Sequence, residues 1–481
     1  MSTSDSSWRK NPLAVLAAYG LMIAAAIALF FAVRSYGETL LAPPPAVAQA
    51  AGREAAPEAS SRPLLHLLLA LASVIVLGRA LGWMLGLLGQ PPVIGEVLAG
   101  ICLGPSVLGR LAPEVGRFVL PDSVAPALSV VAQISVILYM FVVGLELNAG
   151  LLRRQGHVTL AISHASIVVP FSLAAILALW LYPMLSTSDV RFTTFALFLC
   201  VSLSITAFPV LARILTDRQM QHAPLGVTAL ACAAIDDVSA WCLLALVVGV
   251  ARERVNEAVF VAVLAACYIV LMFTVVRPLV DRLIRRFSPA VLTPGALAAL
   301  LVGALASALA TEAIGVHAIF GAFLFGAVIP HDSPIARQTV DKLRDFVAAF
   351  LLPAFFALSG MRTRFDLVSG WHLWFVCLAI IAVATLGKFG GTLAAARLMR
   401  LPWRDSASLG ILMNTRGLME LIVLNVGLDL GVISPTLFAM LVLMALVTTV
   451  ATSPVLYALV PKPAIGAERP GKKAADAARL P

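Results

Sequence analysis

Long apolar stretches alternate with short breaks marked by Pro, Gly or clustered charge along the whole chain. A helix needs about 20 mostly apolar residues to cross the hydrocarbon core of a bilayer. On that measure the pattern predicts a preliminary helix at 11–33, followed by thirteen segments at 64–89, 91–109, 124–148, 158–184, 191–214, 222–250, 258–279, 288–311, 313–330, 344–361, 371–397, 406–430 and 433–460. Fourteen crossings put both ends of the chain on one side. No strand pattern competes with them, so the fold class expected is an all-α polytopic membrane protein.

Composition excludes the soluble alternative. Of 481 residues, 60% are hydrophobic and 12% charged, against about 25% charged in soluble domains. With a mean hydropathy of +0.97, no soluble core could hide so many apolar side chains. The net charge of +9 would otherwise hint at nucleic acid. Here Lys and Arg sit in short clusters between apolar runs, so no nucleic-acid partner is expected. The six cysteines (Cys102, Cys200, Cys232, Cys242, Cys267, Cys377) lie inside apolar runs without C-x-x-C spacing. A disulfide framework, a zinc site and a redox motif are all disfavoured.

The basic clusters also set the orientation. With the N-terminus inside, alternate loops carry 21 Lys and Arg on the inner side and 10 on the outer side. The positive-inside rule then predicts a multi-pass protein of the cell (inner) membrane with both termini cytoplasmic. Residues 1–62 read as an anchor helix followed by an outer linker rich in Pro and Ala. A cleaved signal peptide is the rival reading, with Trp8-Arg9-Lys10 as its charged start and Ala46–Ala50 as its cleavage stretch. The apolar run is too long for a signal core, and Arg34 and Glu38 separate it from those alanines, which favours a retained anchor. Residues 63–461 form the transmembrane domain. The tail 462–481 reads as disordered and cytoplasmic, and no nucleotide-binding domain is expected in this chain.

Eight ionisable side chains fall inside the segments: Arg79, Glu96, Glu146, Asp236, Asp237, Lys388, Arg416 and Glu420. Such residues are expensive in hydrocarbon and usually line a cavity or pathway. Arg79, Glu96 and Glu146 lie nearer the segment ends and read as structural. His164 and His317 are lone histidines, read as packed rather than catalytic. Asp236-Asp237 sits in mid-segment. Neighbouring helical residues point about 100° apart, so the two carboxylates cannot share one partner equally, but they can flank a single aqueous pocket. Burial and like charge both disfavour an ionised carboxylate. A carboxylate so placed holds a proton or a hard monovalent cation, and holds both with difficulty. That competition gives coupled exchange without a nucleotide.

Lys388, flanked by Gly387, Gly390 and Gly391, is the economical charge partner for one of the aspartates; a Lys reaching the cytoplasmic edge is the plainer reading. Two segments carry polar interruptions, Ser202–Pro209 and Met413–Glu420. Pro209 removes a backbone donor and Gly417 permits unwinding, so both segments are expected to break where carbonyls and helix ends can meet ions. They lie seven segments apart and therefore run in opposite directions, as an inverted repeat requires. Thr206 reads as an ion-path residue or as a hydroxyl bonded to its own helix. Ser204, Asn414, Thr415, Arg416 and Glu420 support the crossing, and Arg416 and Glu420, at i and i+4, share a face.

These residues give the chain its resemblance to the monovalent cation:proton antiporter superfamily, in the branch with Kef-type potassium efflux systems and plant cation/proton exchangers. The resemblance rests on Gln90–Glu96 through Leu103–Ser106, Gly144–Leu147, Thr206–Arg213, Asp236-Asp237 with Ala240-Trp241, and Asn414–Leu418. It implies a homodimer of thirteen-helix protomers with inverted repeats and crossed broken helices. Segments 64–148 and 288–361 would form the dimer scaffold. Segments 158–250 and 371–460 would form a mobile core, joined to it by 258–279. The helix at 11–33 is extra to that plan. Many relatives in this branch carry Asn-Asp or Gln-Asp where this chain has two acids. If both titrate against Lys388, two protons per cation is the natural stoichiometry.

The function expected is secondary antiport of Na+ or K+ against H+, with Asp236, Asp237 and Thr206 binding cation and proton and Lys388 as charge partner. The bound metal is a transient monovalent cation at Asp236 and Asp237. No other cofactor is expected, and the partners are a second copy and membrane lipid. A passive cation channel using the same acidic site is the alternative, disfavoured because no filter-like carbonyl loop is visible. A sensor without transport fits the mid-span charges poorly, and no motif supports an enzyme.

Overall fold

The structure, a computed structural model, describes residues 12–44, 63–146, 156–220, 223–251, 255–287, 292–315 and 317–460. Among them every regular element is helical. The first helices are α1 (Pro12–Gly37), α2 (Pro63–Gly86), α3 (Pro92–Leu103), α4 (Ala125–Glu146) and α5 (Gly156–Leu185). A broken helix follows, α6a (Phe192–Ser204) and α6b (Phe208–Asp217), then α7 (Pro224–Ala251). The connecting helix α8 starts at Val255–Leu271, passes through a π turn at Met272–Val276 and ends with Arg277–Phe287.

In the second half, α9 is Pro294–Ile314 and α10 is Ala318–Val328. Helix α11 comprises Pro334–Phe346, a π turn at Val347–Leu351 and Leu352–Arg362. Helix α12 comprises Gly370–Thr385, a π turn at Leu386–Gly390 and Gly391–Leu398. A second broken helix, α13a (Trp403–Met413) and α13b (Leu418–Asp429), precedes α14 (Pro435–Leu459). Each predicted segment thus corresponds to a helix or a helix pair.

Local chemistry sets the boundaries. Thr293, Ser333 and Ser434 each accept an N–H of the following helix, and each is followed by Pro at the first helical position. That combination satisfies an orphan amide and pre-sets φ. Among the described residues eleven helices are long and apolar enough to cross a membrane, against fourteen predicted segments. The three that fall short are the two broken helices, whose halves are only 10 to 13 residues long, and α10 at 11 residues; α3 counts because its span continues to Leu111.

The two halves, α2–α7 and α9–α14, pack by the same plan. Helix α3 lies against α2 of its own half and α11 of the other; α10 lies against α9 and α4. Glycine makes these approaches possible. A Cβ at Gly100 would meet the Ala357 carbonyl oxygen at 2.1 Å, and one at Gly360 would meet that of Val97 at 2.2 Å. The equivalent pair across α4 and α10 is Gly144 against Phe323 and Gly326 against Phe141. Small residues at such contacts let backbones meet where no hydrophobic effect drives helices together. Helices α5–α7 and α12–α14 pack on one another as a second group.

Helix α1 docks on this second group, against α5 and α6a. Phe30 packs on Phe171 with ring centroids 5.9 Å apart, and Thr193 donates to Glu38 at 2.8 Å. The Arg34 guanidinium and that hydroxyl hold Glu38, just beyond α1, below the usual carboxylate range. Most of the linker expected at 42–62 and the tail expected at 462–481 lie outside the described residues.

Candidate functional site

The two broken helices cross at their gaps. Ala207 donates its backbone N–H to the Thr415 carbonyl at 3.0 Å, and the Thr206 hydroxyl oxygen lies 3.0 Å from the Met413 carbonyl. Breaking a helix inside a membrane frees carbonyls that need partners, and two cations supply them. Arg416 donates from Nη1 to the Ser202 carbonyl and from Nη2 to that of Leu203, both at 2.7 Å. Lys388 Nζ donates to the Ser204 carbonyl at 2.5 Å. The last carbonyls of α6a, where the helix dipole is negative, are thus covered by positive charge. Arg416 Nη1 also pairs with Glu420 at 3.0 Å, and Thr449 bonds both backbone groups of Arg416.

Asp236 and Asp237 hang from the middle of α7 and point to different partners. Asp236 is saturated with donors. Ser163 donates to its Oδ1 at 2.5 Å. Ser166, Thr206 and Lys388 donate to Oδ2 at 2.8, 2.8 and 3.0 Å. Asp237 faces the backbone amide of Phe208, the first residue of α6b, where the dipole favours negative charge. Its Oδ1 has no hydrogen-bond partner among the described residues, and neither do Asn414 Oδ1 and Thr415 Oγ1. Ser202 Oγ and Glu420 Oε1, beside Arg416, are unpartnered as well; buried polar atoms are nearly always partnered, so the unmatched oxygens around the crossing leave room for a ligand or proton.

Lys388 reaches Asp236 because it sits on the π turn of α12. There Gly387 and Gly391 press against α5: added Cβ atoms would come 2.7 Å from Pro170 Cα and 2.8 Å from Val169 Cβ. Single π turns inside α-helices recur at functional sites. Sequence reasoning missed Ser163 and Ser166, the two serine donors. Their signal was a pair of hydroxyls at i and i+3 within an apolar segment. It also missed Thr449, for which the sequence holds no comparable sign.

Other intramembrane charges lie elsewhere. Glu146 pairs with Arg344 at 3.1 Å and Arg79 donates to the Ala348 carbonyl at 3.2 Å, so both tie into α11. Glu96 is buried against Gly78. His164 bonds the Leu160 carbonyl and packs edge-on against Tyr19; His317 caps α10. Among the described residues no group of three His, Cys, Asp or Glu side chains gathers as a metal site.

One expectation needs correction: the carboxylates do not flank an open aqueous pocket. Asp236 is 0% and Asp237 2% exposed. A cavity of about 760 Å³ opens between Gly86–Pro92 and Ile214, Arg218, Ser453 and Tyr457. Of the residues of α6b its lining includes Ile214, six residues from Phe208, or roughly 9 Å at 1.5 Å per residue. Toward the other end, the cavity beside Gln133, Arg362 and Asn425 holds only about 50 Å³.

The sodium/hydrogen exchanger transmembrane family matches residues 67–460. The chain belongs to that family. It is 43% identical over 404 residues to "Na(+)/H(+) antiporter NhaS4" of a Synechocystis strain, covering 83% of this chain and 98% of that one. It is 39% identical over 411 residues to "Cation/H(+) antiporter 20" of Arabidopsis thaliana, covering 83% of this chain but 49% of the plant protein. The chain therefore spans nearly all of the cyanobacterial relative and about half of the plant one. Among solved structures it is similar to the sodium proton antiporter MjNhaP1 of Methanocaldococcus jannaschii, with a TM-score of 0.60 at 14% identity, over 82% of this chain and 97% of that one. That likeness shows the shared fold.

The crossing of the broken helices also depends on Gly417. A Cβ there would come 2.6 Å from Val210 Cγ2 and 3.3 Å from Ala207 Cβ. Gly417→Ala is expected to destabilise the protein by about 1–3 kcal/mol, as overpacking does, which a thermal melt in detergent would read. An unchanged midpoint would mean the broken helices do not meet there.

Proposed function

We propose that this chain exchanges a monovalent cation, Na+ or K+, for H+ across the cell membrane, and that Asp237 is the group both ions occupy. The observation that carries this reading is the asymmetry of the pair. Asp236 is matched by a buried Lys388 and three hydroxyls, whereas Asp237 keeps an unpartnered oxygen at the crossing. With Asp236 and Lys388 cancelling, the site carries one net negative charge. One proton or one alkali cation neutralises it, and like charge disfavours both together. Asn414 and Thr415, in the gap of the other broken helix, keep neutral oxygens without partners, the hard ligands such cations prefer. Thr206 and Ser204 hold the Asp236–Lys388 pair in place.

Coupling needs alternating access. In this reading α2–α4 and α9–α11 form the scaffold and α5–α7 with α12–α14 the moving core. The large cavity on the side rich in Lys and Arg, and the small one opposite, support an inward-facing form. On the outer side Arg362 of α11 holds Asn425 and Asp429 of α13b at 3.0 and 2.8 Å, and Asn425 donates to Ser359. These bonds bridge scaffold and core and must break for outward opening. Arg362→Ala is expected to raise the rate at which an impermeant thiol reagent labels Ala132→Cys, buried in the small outer cavity, in a cysteine-free background. The gain is at most about fivefold, because exposed ion pairs are worth about 0–1 kcal/mol. Arg344→Ala, which breaks a pair on the inner side, should give no gain.

The assembly proposed is a homodimer through the scaffold, with both termini cytoplasmic. The test of function is transport in proteoliposomes with an internal pH dye. An imposed cation gradient should drive protons uphill. Cation flux without proton movement would instead mark a passive channel. A pair that stays closed gives one H+ per cation; a Lys388 that yields its proton as Asp236 turns to the cation gives two, and the reversal potential separates these.

A further inference from the structure

Away from the crossing, a cavity of about 450 Å³ lies between α1, α5 and α12. Its walls include Tyr19 and Met22 of α1, Val169 of α5, and Gly390, Ala394 and Met399 of α12 with the turn that ends it. All three helices are long and apolar enough to cross a membrane, so the cavity faces the bilayer. Apolar cavities do not hold water, whereas lipid hydrocarbon is at hand to fill this one. A Cβ at Gly390 would meet nothing within 4 Å, so the space reaches the backbone of the π turn that carries Lys388.

The end marked by Met399 adjoins a basic turn. Arg397 stacks over the Trp403 ring at 4.5 Å, and Arg400, Trp403 and Arg404 are exposed. Arg397 and Arg404 each give one N–H to a carbonyl, of Leu401 and Leu459, and keep further donors on their guanidinium groups. The Lys and Arg count assigns this turn to the cytoplasmic side, where basic residues attract anionic lipid headgroups and Trp sits at the headgroup level. Helix α1 itself lies outside the matched family region, residues 67–460, and Phe30 and Tyr19 fix it against α5.

We propose that this cavity binds one anionic phospholipid of the cytoplasmic leaflet, with an acyl chain between α1 and α12 and the phosphate at Arg397, Arg400 and Arg404. The chain would lie against the π turn from the side opposite Asp236 and so support the segment that holds Lys388. The inference stands apart from the transport reading, because its test needs no transport.

The test is native mass spectrometry of the purified full chain with phosphatidylglycerol and phosphatidylcholine offered in equal amounts. The wild type should retain one more phosphatidylglycerol per chain than Ala394→Trp, whose indole fills the cavity from α12. Met22→Trp fills it from α1 and guards against misfolding of the first variant. Arg400→Gln with Arg404→Gln should still hold a lipid but lose a preference of roughly tenfold for phosphatidylglycerol. Lipid retention unchanged in both Trp variants would mean only annular lipid is seen and would overturn the proposal. Equal retention of both lipids by the wild type would overturn it as well.

Discussion

Asp237→Asn should reduce cation-driven proton movement in proteoliposomes to the level of empty vesicles. An amide neither releases a proton at ordinary pH nor carries the charge that holds an alkali cation. The variant should nonetheless insert and melt at or above the wild-type temperature, because removing an unmatched buried charge relieves a desolvation cost. Asp236→Asn should behave in the opposite way on stability. It leaves Lys388 buried, 0% exposed, with no carboxylate beside it, and breaking one side of a buried pair costs about 3–5 kcal/mol. The contrast separates a site residue from a structural one. Wild-type exchange by Asp237→Asn would sink the assignment.

Arg416→Ala carries the largest expected effect on folding. The side chain is fully buried and holds the carbonyls of Ser202 and Leu203 together with Glu420. Its loss strands a buried carboxylate, at about 3–5 kcal/mol, and leaves two helix-end carbonyls with no donor, at about 1–3 kcal/mol each. Such a change exceeds much of a typical total stability of about 5–15 kcal/mol, so the variant should fail to accumulate in the membrane. Arg416→Lys should not rescue it, since one ammonium cannot replace two nitrogens aimed at three acceptors. Adding Glu420→Gln should recover part of the loss, and a double-mutant cycle on thermal melts measures how much. Normal accumulation of Arg416→Ala would show that the crossing is held by other means.

Much of the fold was legible because the bilayer imposes a length on every crossing. Runs of apolar residues gave the helices, and Pro, Ser and Thr at their starts fixed boundaries by chemistry that is local. The crossing was legible for a related reason: Pro209 and Gly417 cannot sit quietly in a membrane helix, and Arg416 cannot sit there without partners. What stayed hidden depends on distant contacts. Ser163 and Ser166 matter because α5 lies beside α7, and no pattern within α5 says so. The π turn of α12 arises where Gly387 meets Pro170, two residues 217 positions apart. The closed state of the site was hidden as well, since it depends on how far α6b packs over Asp237. The dock of α1 on α5 and α6a came from Phe30, Thr193 and Glu38, which read individually as ordinary residues at a segment's edge.

If cation and proton contend for one carboxylate, the apparent KM for the cation reports it, taken from transport currents or dye responses across a range of pH. Competition at one site predicts that KM rises about tenfold for each unit of pH below the point where Asp237 takes its proton, while the maximal rate at saturating cation stays constant. A maximal rate that falls with pH at unchanged KM would contradict it, because the proton would then be acting somewhere other than the place where the cation binds.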